Sequence, residues 1–346
     1  MTPQPLPVDE LRWRSDGREL WLLRLHRASR LPPTTFGIVV GVLVFAAVFS
    51  GSFYPGLPSH VADDFFTTGA FFAVSIGMIC AIGPRVFAAL IEDLERLFPV
   101  LSISEDERAL YRSALLRLPP RLTALLVIGS IAMGVLHSWL LGQWDLPVLP
   151  ALAPILGTVA LWIAMMTTLT PLIMDARAVG PLGDHLRPGL LPPAAVAPFG
   201  AIALRPTLMI IGLQCAYPIL VVEAGASLPL PTLIGIVAAL ASMTGMFFLP
   251  LRRVRRRLRD DRASSLTALD ARIAALPLSR AGIAEDSDPA ALQQLEQLLA
   301  LRERIAGRPS WPLDVAGLRR VLLYVVLPPL TWAAAALVEI LIDSLL

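Results

Sequence analysis

The chain is poor in several residue types that ordinary soluble proteins use. All 29 basic residues are arginine, and lysine is absent. The two cysteines, Cys80 and Cys215, both stand inside apolar stretches. Two isolated thiols exclude a disulfide framework and zinc-finger spacing. Charged residues form only 16% of the chain, which excludes a soluble domain with an ordinary charged surface.

Signatures of enzymes are also missing. The sequence contains no HExxH, GxSxG, P-loop or HxxxxD pattern, and no paired aspartate motif of the prenyl or alcohol-phosphate transferases. A membrane enzyme with a charged substrate needs several ionisable groups that converge on one site. We therefore predict no catalytic residue, no metal site and no cofactor, with a lipid-modifying enzyme as a distant alternative.

What the chain has in excess is apolar residues, which make up 55% of its 346 positions. This composition predicts an all-α, polytopic membrane protein of about seven helices. The first thirty-five residues lack a cleavage pattern, so we expect the first span to be retained. Five or six spans are the alternative, if the second or fifth is re-entrant. The predicted spans are residues 36–53, 65–82, 122–141, 151–174, 207–222, 231–250 and 321–345.

Three polar segments accompany the spans. The tail at 1–35 is expected either to form an interfacial helix, with Trp21, Leu22 and Leu25 on one face, or to be partly disordered. Span two should end at Gly83–Pro84 and lead into a helical insert at 85–120. There, Ser104 and Glu107 predict a capping box for a helix that reaches Leu118. The proline-rich stretch up to Pro206 is expected to form irregular turns.

An arginine run follows the sixth span. Residues 251–262 contain seven arginines, which cannot enter hydrocarbon and therefore mark a membrane boundary. Beyond it, leucines at 3-4-3 spacing predict a helical hairpin within residues 251–312, and a last domain at 313–346 holds span seven. The hairpin stripes are Leu266, Leu269, Ile273 and Leu276 on one helix, and Leu292, Leu295, Leu299 and Ile305 on the other.

Arginine is confined to alternate segments between the spans. Six arginines lie in the tail, six between spans two and three, three between spans four and five, and fourteen between spans six and seven. This bias predicts a cytoplasmic N-terminus and an outer C-terminus in a bacterial inner membrane. The bilayer, with its anionic inner leaflet, is the expected partner, and nucleic acid is not. We expect the membrane surface to contact Arg252, Arg253, Arg255, Arg256, Arg257 and Arg259.

Few groups qualify for an ion pathway. His137 and Glu339 stand near the predicted outer ends of spans three and seven, and Glu223 at the edge of span five. Pro328 and Pro329 should bend span seven and free carbonyl groups. These five residues form a candidate pathway or gate. The alternatives are a hydrogen-bonded core histidine, solvated loop carboxylates and plain helix irregularity.

The predicted topology resembles that of the insect chemoreceptor cation channels. Both have seven spans, a cytoplasmic N-terminus and a helical region between spans six and seven, although residues 321–345 lack the polar and aromatic signature of that family's last helix. We therefore expect membrane transport by a channel-like subunit of a homo-oligomer. The alternative is a membrane-anchored scaffold or sensor whose hairpin binds a cytoplasmic protein.

Overall fold

The computed structural model describes residues 5–57, 59–187, 193–216, 219, 230–276, 289–307, 319 and 323. Within these ranges the chain is all-α, apart from one antiparallel pair of two-residue strands, β1 (Arg18–Glu19) and β2 (Arg117–Leu118). The helices are α1 (Val8–Ser15), α2 (Trp21–Ser29), α3 (Pro33–Phe49), α4 (Ser59–Leu97), α5 (Glu105–Ala114), α6 (Pro120–Leu140), α7 (Val148–Val179), α8 (Pro193–Gln214), α9 (Leu230–Ala274) and α10 (Pro289–Ala306).

Five apolar helical stretches are long enough to cross a membrane. They are Pro33–Phe53, Asp64–Val100, Pro120–Leu140, Val148–His185 and Ala194–Gln214. The predicted all-α class is thereby confirmed, and the apolar helices fit a membrane protein. The predicted seventh span, at 321–345, lies outside the described residues except for Leu323.

Glycines allow neighbouring apolar helices to pack at short distances. A Cβ on Gly37 of α3 would lie 2.5 Å from the carbonyl oxygen of Gly77 in α4. In the same way, a Cβ on Gly134 of α6 would lie 2.7 Å from the Cα of Val159 in α7. Only glycine allows backbones to approach this closely. The small residues at these positions therefore serve packing within one chain.

The second predicted span does not end where the sequence suggested. Helix α4 passes through Gly83 and Pro84 and continues to Leu97. Pro84 cannot donate to the preceding turn, but the residues after it form a stripe that is almost completely buried, namely Val86, Leu90, Leu94 and Leu97. Burial of this stripe favours continuation of the helix over a break.

The prediction for the proline-rich stretch was also wrong in part. Residues from Pro193 onward form α8, which contains Pro198 and Pro206 and ends at Gln214. The apolar helix thus begins well before the predicted start at residue 207. Backbone groups surrounded by apolar side chains must be hydrogen-bonded, and a helix provides this even where a proline removes one bond.

Four arginine-containing segments of the described chain contact one another and form one layer. This polar layer consists of residues 8–29, 84–118, 175–186 and 250–258. Within it β1 pairs with β2, and the N–H of Ser102 donates to the carbonyl of His185 over 2.7 Å. The buried hydroxyl of Tyr111 donates to the carbonyl of Ala178 over 2.9 Å, and burial raises the pKa of this phenol. The predicted capping box at Ser104 and Glu107 is present, but its helix ends at Ala114, before Leu118.

Helix α9 begins among the apolar helices, passes through the polar layer and extends beyond it. It runs without a break for 45 residues and contains both the predicted sixth span and the arginine run. Its last part lies antiparallel to α10: Arg302 Nε is 2.7 Å from Asp270 Oδ1, and Arg262 donates to the carbonyl of Ala306. Leu269 and Ile305 are buried between the two helices.

Candidate functional site

Three aspartate–arginine pairs connect the segments of the polar layer with one another and with α8. Arg14 of α1 donates to Asp175 of α7, and Arg205 of α8 donates to Asp93 of α4. The third pair joins Arg253 of α9 to Asp184, in the short 3-10 helix Gly180–His185, over 3.0 Å. Each pair connects segments far apart in the sequence, so together they determine how the tail, α8 and α9 are placed against α4 and α7.

The pair of Arg14 and Asp175 is the most deeply buried. Their side chains are 0% and 1% exposed. Arg14 Nε also donates to the carbonyl of Arg117 over 3.3 Å. Arg14 Nη1 and Asp175 Oδ2 are buried without a hydrogen-bond partner in the described structure. A buried pair that is not fully hydrogen-bonded adds little to stability, but losing one member leaves an uncompensated buried charge. The pair therefore favours one docked position of α1.

The pair of Asp93 and Arg205 is asymmetric. The Asp93 side chain is almost fully buried, at 2% exposed, whereas Arg205 is 39% exposed. Arg205 also donates to the carbonyl of Ala89 over 3.3 Å, and Arg96 Nη1 lies 3.7 Å from Asp93 Oδ1. Two guanidinium groups thus compensate the buried carboxylate, one on its own helix and one on α8.

Helix α9 is seated on the Gly180–His185 helix by direct backbone contact. A Cβ on Gly180 would lie 2.9 Å from the carbonyl oxygen of Leu249, and one on Gly183 would lie 2.6 Å from the backbone nitrogen of Val254. Val254 and Leu251 are fully buried in this contact. The start of the arginine run is therefore fixed against α7, beside the ion pair of Arg253 and Asp184.

The six arginines predicted to contact the membrane surface fall into two groups. Arg253 and Arg257 are half-buried and lie near carboxylates, Asp184 at 3.0 Å and Asp261 at 3.3 Å. The exposed group consists of Arg252, Arg255, Arg256 and Arg259. Positions 252, 256 and 259 share one face of a helix. Membrane contact stays a prediction, and the exposed group is the part of the run that is placed to make it.

The candidate gate is only partly described. His137 lies between α6 and α7, where its Nδ1 accepts a hydrogen bond from Trp162 Nε1 over 3.1 Å. The two rings are 5.9 Å apart at their centroids, in an edge-to-face arrangement. These contacts match the alternative of a hydrogen-bonded core histidine. Glu223, Pro328, Pro329 and Glu339 lie outside the described residues, so their proposed role stays a prediction.

Helix α10 presents apolar side chains to solvent. The predicted stripe is divided: Leu295 is half-buried and Ile305 buried on the side toward α9, while Leu292 and Leu299 are 37% and 48% exposed. Glu296 and Glu303 are exposed next to these two leucines. The outer face of α10 therefore alternates leucine and glutamate at positions 292, 296, 299 and 303, which follow one another along one side of a helix.

The buried ion pairs were not predicted from the sequence. Asp93 follows Leu90 by three residues and precedes Leu97 by four, so the spacing of the apolar stripe already placed it on the buried face. Asp175 is the first carboxylate after the apolar stretch of span four. Arg14 carries no comparable signal, because its partner is 161 residues away. The described residues contain no group of three or more metal-binding side chains.

Comparison with protein-family models, curated proteins and solved structures finds no match for this chain.

Proposed function

We propose that this protein is a membrane-anchored scaffold or sensor that binds a protein partner through the hairpin of α9 and α10. The observation that carries the proposal is the exposure of Leu292 and Leu299 on α10, beyond the polar layer. A single exposed leucine is ordinary on a protein surface, but leucines that recur along one side of a helix outside the membrane form an apolar stripe that suits an interaction with another protein.

The position of the hairpin supports this role. From Leu258, the last residue of the polar layer, α9 continues to Ala274, a distance of about 24 Å at 1.5 Å per residue. The contacts of Arg302 with Asp270 and of Arg262 with Ala306 hold α10 against this extension. The outer face of α10 is therefore the side turned away from α9, on a helix that packs against this extension.

Charge on the outer face favours one class of partner. Glu296 and Glu303 are exposed beside Leu292 and Leu299, and each type of side chain repeats at a spacing of seven residues. A heptad repeat of leucine suits helix–helix packing, and acidic flanks select a partner with basic flanks. The partner we propose is an amphipathic helix of another protein, apolar on one face and rich in lysine or arginine beside it.

Site-specific photocrosslinking in living cells tests the proposal. A photoreactive residue at Leu299 should give one discrete adduct with a different protein, and the additional change Leu292→Ala should weaken this adduct at least several-fold. A photoreactive residue at Asp145, in the short turn between α6 and α7 at the opposite end of the bundle, is the control. An adduct with twice the 37.4 kDa mass of the chain would identify a second copy of this protein as the partner instead. The absence of any adduct would refute the proposal.

Transport by a channel-like oligomer is the second candidate. Its support is two buried polar atoms in the described apolar helices, Thr168 Oγ1 and Gln214 Oε1, which have no hydrogen-bond partner among the described residues. Such atoms are satisfied if water enters the bundle. Deleting residues 264–305 separates the two functions: a scaffold would lose its partner and keep its assembly, and a channel would lose its assembly and its ion flux in liposomes.

A further inference from the structure

Exposed arginines of the described chain differ in whether a carboxylate accompanies them. Around α5, Arg112 pairs with Glu95 over 2.6 Å and with Glu105 over 2.9 Å. By contrast, several exposed arginines form no ion pair with a carboxylate of the described residues, and Arg24, Arg30 and Arg85 are among them. Guanidinium groups without a carboxylate partner keep donors that are available to an external anion.

These three arginines belong to the corner of the molecule where α2, α3 and α4 contact one another: Arg24 lies on α2, Arg30 caps its C-terminus and Arg85 lies on α4. Leu22 of α2 fits over Gly83 of α4, since a Cβ there would lie 2.7 Å from Leu22 Cδ2. The His26 ring contacts the Phe36 ring of α3, with centroids 5.6 Å apart. Arg85 Nη2 donates to Thr34 Oγ1 over 2.6 Å. These three contacts hold α2, which carries Arg24 and ends at the cap residue Arg30, against the start of α3 and against α4 near Arg85.

The corner lies at the level where the apolar part of the helices ends. Arg85 directly follows the apolar run that ends at Pro84, and the apolar run of α3 starts at Phe36. Trp21 of α2 donates from Nε1 to Thr167 Oγ1 in the apolar part of α7 over 2.6 Å. An indole at this depth is typical of the boundary between hydrocarbon and headgroups. The arginines of the corner therefore face the headgroup layer.

We infer that this corner, comprising Arg24, Arg30 and Arg85, binds the phosphate groups of anionic phospholipids. A guanidinium group binds phosphate oxygens through two parallel hydrogen bonds, and an anionic leaflet adds long-range attraction. The inference is independent of the partner proposed for α10, and the corner is separate from the arginine run on α9. It assigns a lipid-binding role to the N-terminal tail, which is docked against the bundle.

The same helix provides an internal comparison. Arg27 of α2 is also exposed, but its guanidinium group makes two hydrogen bonds to Glu19, of 2.6 and 3.1 Å. Arg302 is paired with Asp270 over 2.7 Å in the same manner. If lipid binding depended only on net charge, removing paired and unpaired arginines would have equal effects. If it depends on the corner, only the removal of Arg24, Arg30 and Arg85 matters.

Native mass spectrometry of the purified full-length protein tests this inference, with phosphatidylglycerol and phosphatidylcholine as probes. The wild type should retain phosphatidylglycerol in preference to phosphatidylcholine. The triple variant Arg24→Gln/Arg30→Gln/Arg85→Gln should lose this preference by a factor on the order of 100 at low salt. The matched control Arg27→Gln/Arg112→Gln/Arg302→Gln removes as many charges and should retain it.

Three results would overturn the inference. They are an equal loss of preference in both triple variants, an unchanged preference in the corner variant, and displacement of phosphatidylglycerol by millimolar inorganic phosphate, which would indicate a site for free phosphate. The single change Arg24→Gln protects the test against misfolding of the triple variant, because Arg24 makes no described side-chain hydrogen bond. It should reduce the preference several-fold without lowering the melting temperature.

Discussion

The polar layer and the outer apolar helices stabilise the fold in different ways. Of the most apolar 18-residue stretch of α6, only 17% is buried inside the molecule, whereas 67% of the corresponding stretch of α8 is buried. Leu125 and Ile128 of α6 are about two-thirds exposed, at 66% and 65%. The polar layer, by contrast, contains fully buried residues such as Tyr111, Leu101 and Leu182. Apolar packing is nearly complete there, although the segments are rich in charge.

This difference shows where the helix arrangement is specified. Apolar surface in a membrane has little preference between lipid tails and another helix, so hydrophobicity alone does not choose neighbours. Ion pairs, close glycine contacts and backbone hydrogen bonds do specify which helices are neighbours, because each requires particular residues to meet. The polar layer concentrates these contacts, and we therefore expect substitutions in it to have larger effects than substitutions on α6.

The largest effect should come from breaking the buried pair of Arg14 and Asp175. The change Asp175→Ala leaves a buried guanidinium group uncompensated and should destabilise the protein by about 3–5 kcal/mol. The double variant Arg14→Met/Asp175→Leu replaces the pair by apolar groups and should recover most of the loss. The measurement is thermal unfolding of the purified protein in detergent, followed by circular dichroism.

The exposed carboxylate of Asp145 provides the control for this prediction. The change Asp145→Ala should alter stability by less than about 0.5 kcal/mol. If Asp175→Ala is no more damaging than Asp145→Ala, the polar layer does not specify the fold in the way proposed.

A smaller effect, opposite in sign between the two regions, should come from adding a methyl group to a glycine. At Gly183 the new Cβ would lie 2.6 Å from the nitrogen of Val254, whereas at Gly129 of α6 nothing lies within 4 Å. Gly183→Ala should therefore destabilise the seating of α9 by about 1–3 kcal/mol. Gly129→Ala should instead stabilise the helix by up to about 1 kcal/mol. Melting temperatures that move in the same direction would contradict the comparison.

The smallest effect should be a change with pH on the surface of the polar layer. A hydrogen bond from Arg112 holds the pKa of Glu105 below its ordinary value. A carboxylate with a lowered pKa stabilises the folded state above its unfolded pKa of about 4.3, and this contribution is lost as the pH falls further. Melting curves between about pH 6 and pH 3 should therefore show a small loss of stability in acid. Arg112→Gln should make this loss smaller, and an unchanged acid profile would contradict the assignment.

Sequence alone predicted the apolar helices best and their ends least well. The first four predicted spans all correspond to described helices, because a run of about 20 apolar residues has no other stable state in a membrane. The expected end of a helix at Gly83–Pro84 and the expected start of one at residue 207 were wrong. In both places, burial of the apolar residues beside the proline outweighs the hydrogen bond that the proline removes. Of the predicted site residues, His137 is described and bonded to Trp162, and its role in a pathway stays a prediction.

The sequence by itself therefore determined the all-α class, the main apolar helices and the segregation of arginine into alternate segments. These follow from local composition, since each depends on residues that are neighbours in the chain. Only the tertiary structure decided which arginines are bound by carboxylates from distant parts of the chain. Arg14 and Asp175 are 161 residues apart, and whether two such charges meet depends on the packing of the helices between them. The same packing leaves Arg24, Arg30 and Arg85 exposed on the corner where α2, α3 and α4 contact one another.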